Sequence, residues 1–223
     1  MSYSIAIDGP AGAGKSTIAK EISNRMGCHY VDTGAMYRAM ALFIVKSGVS
    51  MHDSKAISEK CQEADITVTY EEEGQIVWLN GENVNGQIRT QQVGEMASVT
   101  SVNPDVRKKL VELQQKLAST TDIIMDGRDI GTCVLPNATV KIYLTASVEV
   151  RAKRRYDELI AKGENADLGK VAEEIRIRDE RDMNRDISPL KQADDAVLVD
   201  TSDMNVEEVI NTIMDIAKKN GCF

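Results

Sequence analysis

The feature that most constrains this chain lies near its N-terminus, where an apolar run leads directly into a glycine-rich loop and then into a helical pattern. The run SIAID occupies residues 4–8, and the loop GPAGAGKS at 9–16 matches the pattern GxxxxGK[ST]. In this context the loop amides point inward at phosphate oxygens, Lys15 reaches the outer phosphates and the Ser16 hydroxyl is placed to ligate Mg²⁺. The stretch therefore predicts a nucleoside triphosphate site formed by Gly9, Pro10, Ala11, Gly12, Ala13, Gly14, Lys15, Ser16 and Thr17.

Four further apolar runs resemble the first one, and each ends near a polar residue. They are CHYVD at 28–32, DIIMD at 122–126, VKIYL at 140–144 and AVLVD at 196–200. Uninterrupted apolarity indicates strands that are buried on both faces, and helical patterns separate the runs. We therefore predict one α/β domain over residues 1–223, with a five-stranded parallel sheet and helices on both of its faces.

One segment breaks this alternation. ITVTYEEEGQIVWLNGENV at 66–84 alternates apolar and polar residues and contains the Asn80-Gly81 turn signal, which predicts a small antiparallel sheet inserted into the α/β body. Three helix boundaries are also predicted: an end at Gly27, a start at Asn103 with Pro104, and a capping box from Asn205 to Glu208.

Composition restricts the classes of function. A net charge of −8 and an aromatic content of 4% disfavour a nucleic-acid polymer as partner, because phosphate backbones are repelled and stacking side chains are scarce. No apolar run approaches the ~18 residues of a membrane span, and no secretory leader pattern opens the chain, so a cytoplasmic protein is expected. Four cysteines without a CxxC pair and only two histidines argue against a zinc site. The lack of long heptads makes a monomer the expected state.

Polar clusters follow two of the predicted strands, DTGAMYR at 32–38 and DGRDIGT at 126–132. Because ligands of an open parallel sheet bind beyond the carboxyl ends of its strands, both clusters are expected at a ligand site. A third cluster, RDERDMNR at 178–185, lies in a helical stretch.

In that helical cluster, Arg178, Arg181, Asp182 and Arg185 are spaced i, i+3, i+4 and i+7, which places them on one helix face. The face is expected to continue the apolar stripe that begins at 171 and 175. From the spacing alone, an anion-filled cleft and a solvated face of ion pairs are both open.

A nucleotide-dependent switch is the alternative to a phosphate-transferring enzyme. A guanine-reading NKxD loop does not occur in the 223 residues, which lowers the weight of a GTPase switch. A phosphotransferase needs a second pocket for an acceptor, and the three polar clusters could supply it.

The motifs IDGPAGAGKST, DTGAMYR, GQIRTQQV, DGRDIGT and RDERDMNRDISPLKQADDAVLVDTS occur in the order and spacing of the bacterial cytidylate kinase family. The chain resembles that family over essentially its whole length. The resemblance implies a P-loop kinase fold and transfer of the γ-phosphate of ATP to CMP or dCMP, with Mg²⁺. A P-loop kinase for another small acceptor, such as UMP, shikimate or dephospho-coenzyme A, is the nearest alternative.

The resemblance also implies roles for individual residues. It places Thr33, Tyr37 and Arg38 at the phosphate of the acceptor, Ser98, Arg107 and Asp129 at cytosine, Arg178 and Asp182 near the ribose, Arg128 and Arg185 as phosphate clamps, and Arg154 as a candidate ATP contact. Lys15, Arg128, Arg178 and Arg185 are the expected catalytic cations. It further implies an inserted monophosphate-binding subdomain at about 36–107 and a short lid at about 151–170.

Overall fold

The structure, a computed structural model, describes residues 2–71 and 74–222. Glu72 and Glu73, which belong to the predicted antiparallel segment, lie outside the described residues. The elements, in chain order, are β1 (Ser4–Asp8), α1 (Lys15–Met26), β2 (His29–Asp32), α2 (Thr33–Lys46), α3 (Ser54–Cys61), β3 (Ile66–Glu71), β4 (Gly74–Leu79), β5 (Glu82–Asn83), α4 (Gln91–Thr100), α5 (Pro104–Ala118), β6 (Ile123–Gly127), β7 (Val140–Thr145), α6 (Val148–Ala161), α7 (Leu168–Asn184), β8 (Val197–Asp200) and α8 (Val206–Lys219). A single π-helical turn at Ile130–Val134 follows β6.

The predicted fold class is confirmed. The five apolar runs form one sheet in the order β2-β6-β1-β7-β8, and β1 pairs in parallel with both β6 and β7. Ile5 and Ile7 of β1 are fully buried, which explains why this strand is apolar without alternation. A second, antiparallel sheet in the order β3-β4-β5 occupies the predicted segment, with Asn80 and Gly81 in the left-handed backbone region at the turn between β4 and β5.

The chain divides into two compact units. The first contains Met1–Cys28 and Asp122–Phe223, and the second contains His29–Thr121. The first unit holds strands β1, β6, β7 and β8 with helices α1, α6, α7 and α8, whereas α2 in the second unit packs against α3, α4, α5 and the small sheet. The bounds implied for the inserted subdomain and the lid, about 36–107 and about 151–170, stay predictions.

The three predicted helix boundaries are confirmed. Gly27 ends α1 with a left-handed backbone. The Asn103 side chain accepts hydrogen bonds from the amides of Asp105 and Val106 at the start of α5, and Asn205 forms a capping box with Glu208 at the start of α8. Across the described part of the chain, no helix combines the length and apolarity that a membrane span requires.

Asn103 joins two helices as well as capping one. Its amide Nδ2 donates to the backbone oxygen of Ser54 at 3.1 Å and to Ser58 Oγ at 3.0 Å, both on α3. Because Asn103 is buried, water cannot replace these bonds if the side chain is removed. Its cap therefore also fixes α3 against α5.

We expect Asn103→Ala to lower the free energy of unfolding by about 2–3 kcal/mol, from the lost cap and the two unsatisfied α3 groups. Asn205→Ala, which removes an exposed cap, should lower it by only about 1 kcal/mol. Urea denaturation of both variants measures the difference. Equal losses in the two variants would contradict the bridging role of Asn103.

Candidate active site

The loop after β1 is shaped by a close approach of its backbone to β7. Gly9 has a φ of 150°, and a Cβ atom at this position would lie 1.9 Å from the backbone oxygen of Leu144. Gly14, with a φ of 87°, directly precedes α1. Only glycine fits the first of these positions, and the second needs the left-handed conformation that glycine adopts readily. The loop backbone therefore lies against the end of β7 at Gly9 and leads directly into α1 after Gly14.

Lys15 is a buried cation of the site. It is 5% exposed, and its Nζ donates to the backbone oxygen of Pro10 at 2.7 Å. The pKa of Lys15 is lowered mainly by burial and next by the positive charge of Arg128. The carboxylate of Asp126 acts in the opposite direction, and Arg178 lowers the pKa further. An anion that binds near these groups would relieve the repulsion between them.

Ser16 and Asp126 form the candidate metal centre. The Ser16 Oγ donates to Asp126 Oδ2 at 2.9 Å, and Asp126 is buried at the end of β6, beside β1. These are hard oxygen donors of the kind that Mg²⁺ prefers, so the residues fit the ion. No described group of three or more His, Cys, Asp or Glu side chains could hold a metal by itself.

The sequence analysis did not assign Asp126, although a signal for it exists. An apolar strand that ends in aspartate beside the strand of the phosphate loop is a recurrent magnesium-binding arrangement in this class of nucleotide site. The run DIIMD has that form, but the neighbouring position of β6 and β1 was needed to connect it with Ser16.

Asp8 was also missed, and it anchors the loop that follows β6. Its two carboxylate oxygens accept from the backbone amides of Ile130 at 2.8 Å and Gly131 at 2.7 Å. Burial raises the pKa of Asp8 to about 6, against the two amide bonds, which favour the ionised form. Asp8 thereby holds the segment that carries Arg128 and Asp129.

The residues of the third cluster make ion pairs with the loop after β6. Arg128 Nε donates to Asp182 Oδ2 at 3.0 Å, and Arg185 Nη2 lies 3.6 Å from Asp129 Oδ1. The Arg185 Nε also donates to the backbone oxygen of Ser188. The side chains of Asp182 and Arg185 are only 16% and 7% exposed, so a cleft accounts for them better than a solvated face does.

The buried stripe of α7 includes one residue outside the predicted face. Asp179 is buried together with Val171 and Ile175, whereas Arg178 and Arg181 are exposed. At 3.6 residues per turn, Arg178 lies about 20° around the helix axis from Val171, and Asp179 lies about 40° from Ile175 on the opposite side of the stripe. Arg178 therefore lies at the edge of the buried stripe that is farther from Asp179.

Asp179 pairs with Arg151, a second residue that the sequence analysis left without a role. Arg151 Nη2 lies 2.7 Å from Asp179 Oδ2, its Nη1 donates to the backbone oxygen of Ala11 at 3.0 Å, and its Nε donates to that of Ala146 at 2.9 Å. One buried guanidinium thus links α7, the phosphate loop and the end of β7.

Arg154, the candidate ATP contact, is tied to the loop after β8. Its Nη1 donates to Thr201 Oγ1 at 3.1 Å and its Nη2 to the backbone oxygen of the same residue at 2.8 Å. These bonds hold the guanidinium in one place without satisfying all of its donors. A planar group so placed can stack on a nucleotide base.

In the second unit, the start of α2 carries the first acceptor residues. Thr33 is buried at the first position of α2, directly after the cap residue Asp32, whose side chain accepts from the amide of Ala35 at 2.9 Å. Arg89 pairs with the other Asp32 oxygen at 3.0 Å, and Gln75 of β4 exchanges two hydrogen bonds with the Asp32 backbone. The small sheet therefore holds the end of α2 that presents Thr33.

The other residues predicted to bind the acceptor from this unit lie on α2 and on two helices that pack against it. The Arg107 guanidinium lies 5.8 Å from the ring centre of Tyr37, and its Nη1 donates to the backbone oxygen of Ser101 at 3.3 Å. Arg107 is 4% exposed, whereas Ser98 on α4 and Arg38 on α2 are half-buried. The second unit thus gathers the five residues that the sequence analysis assigned to the acceptor from this part of the chain.

Comparisons of the sequence with known proteins agree on one family. The sequence profile described as cytidylate kinase matches residues 5–219. A cytidylate kinase of Geobacillus kaustophilus is 48% identical over 216 residues, covering 97% of this chain and 96% of the relative. One of Shouchella clausii is 44% identical over 218 residues, covering 98% and 97%. Among solved structures, an uncharacterized protein of Eubacterium ventriosum covers 98% of this chain and 99% of its own with a TM-score of 0.54 at 11% identity, which bears on the fold alone.

The raised pKa of Asp8 has a sign that stability measurements can test. A carboxyl whose pKa rises on folding, here from 3.8 to about 6, contributes stability that is fully present below the unfolded value and lost as pH rises through about 6. Relative to Asp8→Asn, which cannot titrate, the wild type should lose about 1 kcal/mol of unfolding free energy between about pH 5 and about pH 7. Urea denaturation at both pH values measures this change. A difference that does not vary with pH would show that folding leaves the Asp8 pKa unchanged.

Proposed function

The chain belongs to the cytidylate kinase family, and from this premise we propose how its own residues transfer the γ-phosphate of ATP to CMP or dCMP. The observation that carries the proposal is the buried Lys15, which lies within electrostatic reach of Arg128 and Arg178 directly after a phosphate-binding loop. The repulsion that these arginines exert on the buried lysine is relieved when the charges of two phosphate chains arrive.

The donor side follows from the phosphate loop. Backbone amides of residues 11–17 bind the phosphates of ATP, and Lys15 leaves its bond with the Pro10 carbonyl to meet the outer phosphates. Ser16, with Asp126 hydrogen-bonded to it, would hold Mg²⁺, which would neutralise charge on the outer phosphates. Arg151 keeps the loop in place through the Ala11 carbonyl.

Transfer requires no proton abstraction by a protein side chain, because an acceptor phosphate is already an oxyanion. An oxygen of the CMP phosphate forms a bond to the γ-phosphorus of ATP, and the bond from that phosphorus to the bridging oxygen breaks, which leaves ADP and CDP. Arg128, Arg178 and Arg185 neutralise the charge that passes between the two chains. Positioning and neutralisation of charge are the main contributions of a protein to this reaction.

On the acceptor side, Thr33, Tyr37 and Arg38 hold the phosphate, Arg178 and Asp182 lie near the ribose, and Ser98, Arg107 and Asp129 read the base. An ionised Asp129 only accepts hydrogen bonds and suits the amino group of cytosine, whereas Arg107 only donates and suits its ring nitrogen and carbonyl. Uracil carries a carbonyl in place of that amino group, so it would face a carboxylate. We also propose a monomer, because the sequence carries no long heptad pattern.

The first test is base selectivity in a coupled assay of ADP release with ATP, Mg²⁺ and a panel of monophosphates. CMP and dCMP should exceed UMP in kcat/KM by about 100-fold or more, because a site built on hydrogen bonding rejects the wrong partner strongly. In Asp129→Asn the ratio should narrow, mainly through loss of activity on CMP, because the neutral amide binds the cytosine amino group less strongly than a carboxylate does. Excess EDTA should abolish turnover in every case. Equal use of CMP and UMP by the wild type would reject the base-reading roles and leave the kinase activity intact.

The second test is Lys15→Ala. We expect kcat to fall by at least about 100-fold, because a cation that meets the transferred phosphate is lost. The melting temperature should be unchanged or higher, since burial disfavours the charge of Lys15 in the absence of ligand. Lys20→Ala, on the exposed side of the same helix, is the matched control and should keep wild-type kinetics. Wild-type turnover in a folded Lys15→Ala variant would contradict the role of this lysine.

A further inference from the structure

Gly94 occupies a position where the backbone does not require glycine. It lies inside α4, its amide donates to the backbone oxygen of Thr90 at 3.0 Å, and its φ is outside the left-handed region. In a helix interior, glycine is less favourable than alanine because its backbone loses more freedom on folding. Another property of this site must therefore account for a residue without a side chain.

The guanidinium group of Arg38 occupies the space that a side chain at position 94 would enter. A Cβ atom built at Gly94 would lie 3.2 Å from Arg38 Nη1 and 4.0 Å from both Cζ and Nη2, and these are its three nearest atoms. The same Nη1 lies 3.5 Å from the backbone oxygen of Ile88, to which it donates. The guanidinium therefore lies against the bare backbone of α4, where α4 packs on α2.

We infer that Gly94 is a positioning residue for acceptor binding, because the missing side chain allows the Arg38 guanidinium to lie where it meets the acceptor phosphate. The inference rests on the proposed role of Arg38 at that phosphate. A planar guanidinium binds phosphate through paired N–H donors, so its position and tilt both matter for binding.

An alanine at this position should separate stability from acceptor binding. A separation of 3.2 Å is shorter than an ordinary carbon–nitrogen contact, and the atom in the way is the flexible end of a side chain, which can move by a few tenths of an ångström. Alanine stabilises the helix because it is a better helix former than glycine, but its Cβ atom displaces the Arg38 guanidinium. The two effects have opposite signs, which a general packing defect would not produce.

The experiment compares Gly94→Ala with Gly86→Ala in the full-length chain. Gly86 lies in the same unit outside the left-handed region, and a Cβ there meets nothing within 4 Å, so it is the matched control. For Gly94→Ala we expect KM for CMP to rise about fivefold, from a displacement well under 1 Å, with KM for ATP unchanged. The melting temperature should rise by about 2–4 °C, as expected for glycine to alanine in a helix interior. Gly86→Ala should keep both KM values.

A double-mutant cycle with Arg38→Ala then shows whether Gly94 acts through Arg38. If it does, adding Gly94→Ala to Arg38→Ala should leave KM for CMP at the value of Arg38→Ala alone. An unchanged KM in Arg38→Ala would remove the proposed role of Arg38, and the inference with it. If KM for CMP rises in Arg38→Ala, two results would overturn the inference alone. Either Gly94→Ala leaves KM for CMP unchanged, or it raises KM by the same factor whether or not Arg38 is present. Loss of folding in Gly94→Ala would also overturn it, because displacement of one side-chain end does not unfold a helix.

Discussion

Repulsion between the buried Lys15 and two less buried arginines is the interaction on which the phosphate site of the first unit depends. Lys15 is within the electrostatic influence of Arg128 and Arg178, in a protein whose net charge is −8. Neutral carbonyls and a few carboxylates hold these groups in place: Lys15 donates to Pro10, and Arg128 donates to Asp182. None of these partners matches the charge density of a polyphosphate, so the site favours phosphate over its own internal contacts.

The parallel sheet explains how two carboxylates, those of Asp8 and Asp126, hold the residues around the phosphate site in place. In the register of β1 with β6, Ile7 lies opposite Asp126, and Asp8 opposite Gly127, so both carboxylates occur where the two strands end. One of them holds Ser16 at the start of α1, and the other holds the amides of the loop after β6. The two carboxylates at the ends of adjacent parallel strands therefore bind both the start of α1, which follows the phosphate loop, and the loop that carries Arg128.

Much of the fold was predictable because its signals are local. Continuous apolar runs predicted the strands of the parallel sheet, alternation predicted the antiparallel one, and the caps at Gly27, Asn103 and Asn205 were read from single residues. The chemistry of the site was predictable in part, through the phosphate loop and through ordered motifs that resemble one family. On α7 the burial of Asp179 was missed, because several charged residues in succession hide which of them is buried.

The sequence by itself determined the class of fold, the phosphate loop and the residue types available to the site, since these depend on short-range periodicity and spacing. The tertiary structure decided which of the buried polar residues support the site. Asp8, Asp126 and Arg151 became recognisable only when strand order and helix packing brought them beside their partners. The same holds for Gly94, because the need for a residue without a side chain is visible only from its contact with Arg38. Contacts between segments far apart in the chain depend on how elements pack, and no local pattern in the sequence encodes that packing.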